Sequence, residues 1–220
     1  MMTAAATTAR AGLSSLRWAQ SLTQYAKAQS RSIMIGTDMQ SSIITLQPAR
    51  PWHMTESNLA KENAVSLGEI FADHKRVVFF GVPAPFTGTC TTQHVPGYLH
   101  MAPRLGTYVD EIICYSVADP YALYGWSQTL LQKENGKNNT NNDNNDLLSI
   151  RFLADPEATF AKAYGVDAVY DDVSLGLRSK RFSMFVEDGR VQVFHQVQDA
   201  ANDALHIYND IVDLAEDKES

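Results

Sequence analysis

The sequence predicts an α/β fold: a central mixed sheet with helices on both faces, closed by a C-terminal β-hairpin and a last helix. Three observations predict it. Short continuous apolar runs alternate with amphipathic segments of helical period. The runs are apolar at successive positions, the pattern of strands covered on both faces. Near the C-terminus, Asp188-Gly189 separates two strand-like segments, a strong hairpin signal. With 220 residues, 45% of them apolar, the chain is long enough for one well-packed domain and short for two.

The elements follow in order. Residues 66–73 (SLGEIFAD) read as a short amphipathic helix, and Arg76–Val82 (RVVFFGV) as a buried strand. Pro83, Pro85 and Gly88 break that strand into a loop. A helix is expected from Cys90 to Leu105, with Tyr98, Met101 and Leu105 on one face and a kink at Pro96. Glu111–Val117 is the second strand, Pro120–Gln132 the second long helix, and Ser149–Ala154 the third strand. Asp155 is placed to cap a helix that has Pro156 at its first position and Gly165 at its end. Phe182–Glu187 and Arg190–Val197 form the hairpin, and the last helix runs from about Asp199 to Ala215. A thioredoxin-like fold matches this β-α-β-α-β-α-β-β-α order.

Charge separates the chain into two parts. Residues 1–37 hold four of the 18 basic residues (Arg10, Arg17, Lys27, Arg31) and no acidic one. That leaves 14 basic against 25 acidic residues, a net −11, in residues 38–220. So acidic a body, without a basic stripe, argues against nucleic acid as a partner. No apolar run is long enough to span a membrane. The first segment is rich in Ala, Ser and Thr, the composition of an organelle transit peptide. Trp18, Leu22 and Tyr25 share one helical face with Arg10, Arg17 and Lys27 roughly opposite, although Leu13 and Leu16 lie off it. A disordered tail and a basic amphipathic helix both remain open. The expected address is the mitochondrial matrix, with a plastid as the alternative, and residues 1–37 are set apart from the fold. Residues 38–220 are expected to form a single domain. Within it, residues 133–146 (KENGKNNTNNDNND) are half asparagine and expected to be a disordered insert. The sequon Asn138-Asn139-Thr140 falls there by chance.

Only two cysteines occur, Cys90 and Cys114, which is no disulfide framework. Cys90 follows a buried strand and lies where a loop becomes a helix. Unpaired backbone N–H groups at a helix start stabilise an anion there, and the thiolate is the nucleophilic form of cysteine. His94, four residues on, fits helix packing or a hydrogen bond near the site. Two candidate ligands fall short of a closed zinc site, so neither metal nor cofactor is expected.

The run Pro83-x-x-x-Thr87-x-x-Cys90 is similar to the active-site motif of the peroxiredoxins. FGVPAPFTGTCTTQHVPGY at 80–98 resembles the plant type II and animal type-5 subfamilies. Further similar segments follow in order: CYSVADP at 114–120, FLADPEATFAKAYGV at 152–166 and RSKRFSMFVEDGRV at 178–191. The resemblance covers about residues 62–195. Ala84-Pro85, Gly88 and Ala118 depart from the family's usual residues and bear on the mobility of the loop.

This resemblance implies a thiol peroxidase. Cys90 would be the peroxidatic nucleophile, converted by hydrogen peroxide or an alkyl hydroperoxide to a sulfenic acid. Arg181 would favour the thiolate and donate to the peroxide oxygens. Thr87 would hold sulfur and peroxide in line, and Pro83 would shield the sulfenic acid. Cys114 would resolve Cys90 as a disulfide, as in plant type II proteins, although a cysteine inside a buried strand is equally a structural residue. A disulfide also needs Cα atoms within about 7 Å. The implied partners are a peroxide, a thiol reductant (glutaredoxin, glutathione or thioredoxin) and a second copy in a non-covalent homodimer.

Two other readings share these residues. A thiol–disulfide oxidoreductase on the same fold would carry C-x-x-C, but Thr87 stands where its first cysteine would be. A peroxide sensor would use the same reactive cysteine without sustained turnover.

Overall fold

The apolar run Arg76–Val82 forms β3, an interior strand of a seven-stranded sheet, in a computed structural model that describes residues 32–52, 57–137 and 149–219. β3 runs parallel to β4 (Glu111–Ser116), which runs parallel to β5 (Ile150–Ala154). On its other side β3 pairs antiparallel with β8 (Phe182–Glu187), which pairs with β9 (Arg190–Gln196) across Asp188-Gly189. At the far edge, β1 (Thr45–Pro48) and the two-residue β2 (Val65–Ser66) extend the sheet, giving the order β2-β1-β5-β4-β3-β8-β9. A separate two-stranded hairpin joins β6 (Asp167–Tyr170) to β7 (Gly176–Ser179).

Alternation along β3 divides the core. Val77 and Phe79 point to one face, where α2 (Leu67–Asp73) and α5 (Thr159–Ala163) cover them; a four-residue α1 (Ala60–Asn63) precedes β2. There Phe79, Tyr115 and Phe160 pack with ring centroids 4.9–5.6 Å apart. Gly81 makes room on this face, since a Cβ there would stand 2.1 Å from the Phe182 ring. Val78, Phe80 and Val82 point to the other face, under α3 (Val95–Leu105), α4 (Pro120–Lys137) and α6 (Asp203–Glu219). Phe80 stacks on Tyr98 with centroids 3.8 Å apart. Burying a side chain of this size contributes about 1.5–3 kcal/mol. Cys90 and Cys114 both belong to this second core.

Several expected boundaries move. The helix expected from Pro156 begins at Thr159, because Asp155 is tied by Tyr115 and reaches donors further along the chain. Its carboxylate accepts from the backbone N–H of Thr159 (2.8 Å), Phe160 (2.9 Å) and Ala161 (3.3 Å). Ala158, with φ 54, turns the chain between them, and Gly165, with φ 67, follows the helix as expected. The last helix starts at Asp203, not Asp199, whose side chain instead closes a turn by accepting from Ala201 N–H at 3.1 Å. The second long helix continues to Lys137, into the segment read as an insert. Residues 32–37, grouped by composition with the leader, belong to the fold. Ile33 is buried, and Gly36 N–H and Thr37 C=O bond to Val191 at 2.7 and 3.0 Å. The helical face of Trp18, Leu22 and Tyr25, and the asparagine run from Asn138 with its sequon, lie outside the described residues.

Candidate active site

The loop after β3 is pinned before it reaches the cysteine. Val82 C=O accepts from Ser116 Oγ (3.2 Å) and Ser179 Oγ (3.0 Å), and Pro83 and Ala84 are buried. Phe86 turns out to solvent in the left-handed region, with φ 60. Thr87 Oγ1 donates to Ala84 C=O at 2.9 Å, closing the loop on itself. Thr87 C=O then accepts from Thr91 N–H at 3.0 Å, which opens the helix and puts Cys90 in its first turn.

That turn is not ordinary α-helix. Cys90–His94 is a π-helical turn, closed by Val95 N–H on Cys90 C=O, and α3 continues from Val95. Such turns occur mostly as single-turn insertions within α-helices, frequently at functional sites. Pro96 therefore sits in the first turn of α3, where a missing N–H costs least, and the distortion precedes it. Trp126 Nε1–H from α4 holds the turn by donating to Thr91 Oγ1 at 3.1 Å.

Arg181, just before β8, reaches into this turn with both arms of its guanidinium. Nη2 donates to Cys90 Sγ at 3.4 Å, and Nη1 donates to His94 Nδ1 at 3.0 Å. His94 Nε2 lies 2.8 Å from Asp203 Oδ2, which also accepts from Tyr98 Oη at 2.6 Å. Asp203 Oδ1 accepts from Ser183 Oγ at 2.8 Å. Cys90 is 1% exposed, and His94, Tyr98, Asp203 and Ser183 are buried. The site is thus a nearly dry thiol facing a fixed cation, where the low local dielectric strengthens any bond formed between them.

The Redoxin family model matches residues 48–211. Peroxiredoxin-2F, mitochondrial, of Arabidopsis thaliana is 36% identical over 171 residues, 76% of each chain. The chain belongs to the peroxiredoxins. The rice Peroxiredoxin-2F, mitochondrial, is 35% identical over 167 residues, 74% of this chain and 76% of its own. Among solved structures, reduced Prx3 in complex with hydrogen peroxide from Vibrio vulnificus has a TM-score of 0.62 at 27% identity, covering 82% of this chain and 96% of that one. Peroxiredoxin 5 from Alvinella pompejana, at 19% identity and TM-score 0.63, shares the fold over 82% of this chain and 99% of its own. This peroxiredoxin is accordingly a thiol-dependent peroxidase on a thioredoxin-like fold, an oxidoreductase that works through a cysteine sulfenic acid.

Of the residues singled out in this peroxiredoxin by sequence, Cys90, Arg181 and His94 meet directly, and Thr87 and Pro83 form the adjoining loop. Cys114 lies on β4, its backbone flanked by Phe80 and Phe152. Burial pushes its thiol well up, a charge on Cys90 pushes it further, and Arg181 draws it down. Neither cysteine is in a disulfide. Tyr170 on β6 also feels the site: burial raises it, against the pull of Arg181, and Cys90 adds to the rise. Asp203, Ser183 and Tyr170 were not marked by the sequence. A signal for Asp203 existed, because it lines up with Ile207 and Ile211 on the apolar face of the last helix.

The peroxiredoxin's buried histidine carries a pH signature. Burial pushes His94 below its ordinary value of 6.5, against the hydrogen bond and charge of Asp203, and Arg181 pushes it further down. Between the two values the unfolded chain binds a proton that the folded chain does not, so stability rises with pH there. The contribution is full above 6.5 and is lost progressively below it. Urea unfolding from about pH 5 to pH 8 is expected to show this slope in the wild type and a flatter one in His94→Gln.

Proposed function

We propose that Cys90 is the nucleophile with which this peroxiredoxin reduces hydrogen peroxide and alkyl hydroperoxides. The observation that carries the reading is the guanidinium of Arg181, 3.4 Å from Sγ in the first turn of a helix. The thiolate attacks the terminal oxygen, an S–O bond forms and the O–O bond breaks. Sulfur loses two electrons and becomes the sulfenic acid, which keeps the hydroperoxide's own hydrogen. The departing alkoxide or hydroxide takes a proton from water. Arg181 Nη2–H, bonded to sulfur at the start, can follow the charge onto the peroxide oxygens as they separate. The Thr87 hydroxyl spends its hydrogen on Ala84 C=O, so toward a peroxide it offers a lone pair that accepts the terminal O–H. Pro83 screens the sulfur from water. Holding two small reactants in line supplies a large part of the acceleration.

An external thiol, of the glutathione or glutaredoxin kind, then attacks the sulfenic sulfur and releases water. A second thiol frees Cys90 as the thiol. This route is favoured over resolution by Cys114, whose thiol is buried and held protonated in the middle of the sheet. Resolution by Cys114 would require the Cys90 turn to unwind and would hand a disulfide to a thioredoxin. Intact mass after one equivalent of hydrogen peroxide and a sulfenic-acid trap separates the routes. The expected product is a single adduct on Cys90. Loss of two hydrogens, absent in Cys114→Ser, would mean a Cys90–Cys114 disulfide, and an unmodified chain would overturn the nucleophile itself.

The acid-free basic segment 1–31 and two relatives named as mitochondrial support a mitochondrial matrix address over a plastid one, which an import assay with each organelle checks. Exposed Phe86, Val169 and Val173 support a homodimer through the active-site face, which light scattering checks.

A further inference from the structure

Arg181 is aimed from behind. Its guanidinium carries only donors, so His94 Nδ1, 3.0 Å away, must present a lone pair. An imidazole with a bare Nδ1 and no net charge carries its hydrogen on Nε2. That hydrogen points at Asp203 Oδ2, 2.8 Å away, in a space closed to water. The opposite tautomer would set N–H against N–H at Arg181 and leave a bare nitrogen facing a carboxylate. Ring rotation is restricted as well, because Phe80 packs against His94 with centroids 5.2 Å apart.

We propose that Asp203 is a positioning residue for peroxide reduction: its carboxylate fixes His94 in the tautomer that accepts from Arg181, and so aims the guanidinium at Cys90. This rests on Cys90 being the nucleophile. Asp203 is well placed for the task because it ties together the elements that carry the other members. Tyr98 lies one turn beyond His94 on α3, and Ser183 lies two residues beyond Arg181 on β8; both donate to the Asp203 carboxylate. Burial works against its ionisation, but the bonds from His94, Tyr98 and Ser183 outweigh this and hold it below the ordinary carboxylate range. It is therefore an acceptor at both oxygens, which is what selects Nε2–H.

Nitrogen-15 NMR of the full chain labelled at histidine reads the tautomer directly, and stopped-flow oxidation by hydrogen peroxide reads the rate. The wild type is expected to show His94 with Nε2–H and a bare Nδ1 at neutral pH. Asp203→Ala is expected to lose that tautomer and to slow roughly 10- to 100-fold. Asp203→Asn can still turn its carbonyl to His94 and Tyr98 and its amide to Ser183, whose hydroxyl reverses to accept. It should keep the tautomer and recover most of the loss, a pattern that loss of packing alone would not give. His94→Gln, which offers an oxygen to Arg181 and an amide to Asp203, should outperform His94→Leu. Should Asp203→Ala not fold, the wild-type and Asp203→Asn spectra and rates decide. Nδ1–H or imidazolium in the wild type overturns the proposal, as does an Asp203→Ala protein with unchanged tautomer and rate. The nucleophile reading fails separately: Cys90→Ser should keep the His94 tautomer and lose all turnover.

Discussion

Arg181→Ala is expected to slow the reaction of Cys90 with hydrogen peroxide by about 10²–10³-fold, the range found when one preorganised donor to a developing charge is removed. The guanidinium does two things with one rigid fork: Nη2 meets the sulfur and Nη1 is held by His94. Lysine keeps the charge but offers one compact ammonium on a flexible stem. It cannot reach sulfur and imidazole together, so Arg181→Lys should recover no more than about tenfold of the loss. Competition against a second peroxidase for limiting peroxide measures these rates without a coupling reductant. Cys90→Ser sets the zero of the scale. A drop of less than about threefold in Arg181→Ala would mean that the contact at sulfur stores no transition-state stabilisation.

Asp155→Ala is expected to cost about 3–5 kcal/mol of stability, the largest effect of any single polar side chain away from the sulfur. The carboxylate accepts from three consecutive backbone N–H groups and from Tyr115 Oη at 2.6 Å, and it is 2% exposed. Alanine leaves these donors without partners inside the core. For a domain of this length the melting temperature should fall by roughly 6–20 °C. Asp155→Asn separates the contributions. Its amide can face only the Oδ1 side, where one donor is lost, while its carbonyl keeps the other three. The cost should then be about 1–2 kcal/mol. Equilibrium denaturation of both variants checks the ranking. Equal losses would show that charge, not the number of accepted bonds, holds the corner together.

What could be read from the sequence follows burial. β3, β4, β5 and the closing hairpin were legible because apolar side chains fill both faces or alternate cleanly around a turn signal. β1 and β2 were not: one is four residues long and ends at Pro48, the other has two residues, and both exist through pairing with distant strands. The β6–β7 hairpin carries no apolar pattern, because its residues are only partly buried except the polar Ser179, and Val169 is 64% exposed. At the site, the spacing Pro83, Thr87, Cys90 is local and therefore visible. The bonds of Asp203 to His94 and Tyr98 span more than a hundred residues and arise only when α6 lands beside α3. An acid in line with Ile207 and Ile211 was the trace left in the sequence, and it is easily read as a helix start.

The order in which the chain leaves the ribosome gives the placement of Asp203 a biological meaning. Cys90 is made early, Arg181 much later, and Asp203 with the last helix. A nascent chain, or one drawn unfolded through a translocation pore, carries a cysteine with neither the cation nor its support beside it. Such a thiol should react with peroxide like any free cysteine. Full reactivity should switch on only when synthesis or transport has finished and the C-terminus has docked. The low reactivity of the unfinished chain then follows from the position of a few residues along its own sequence.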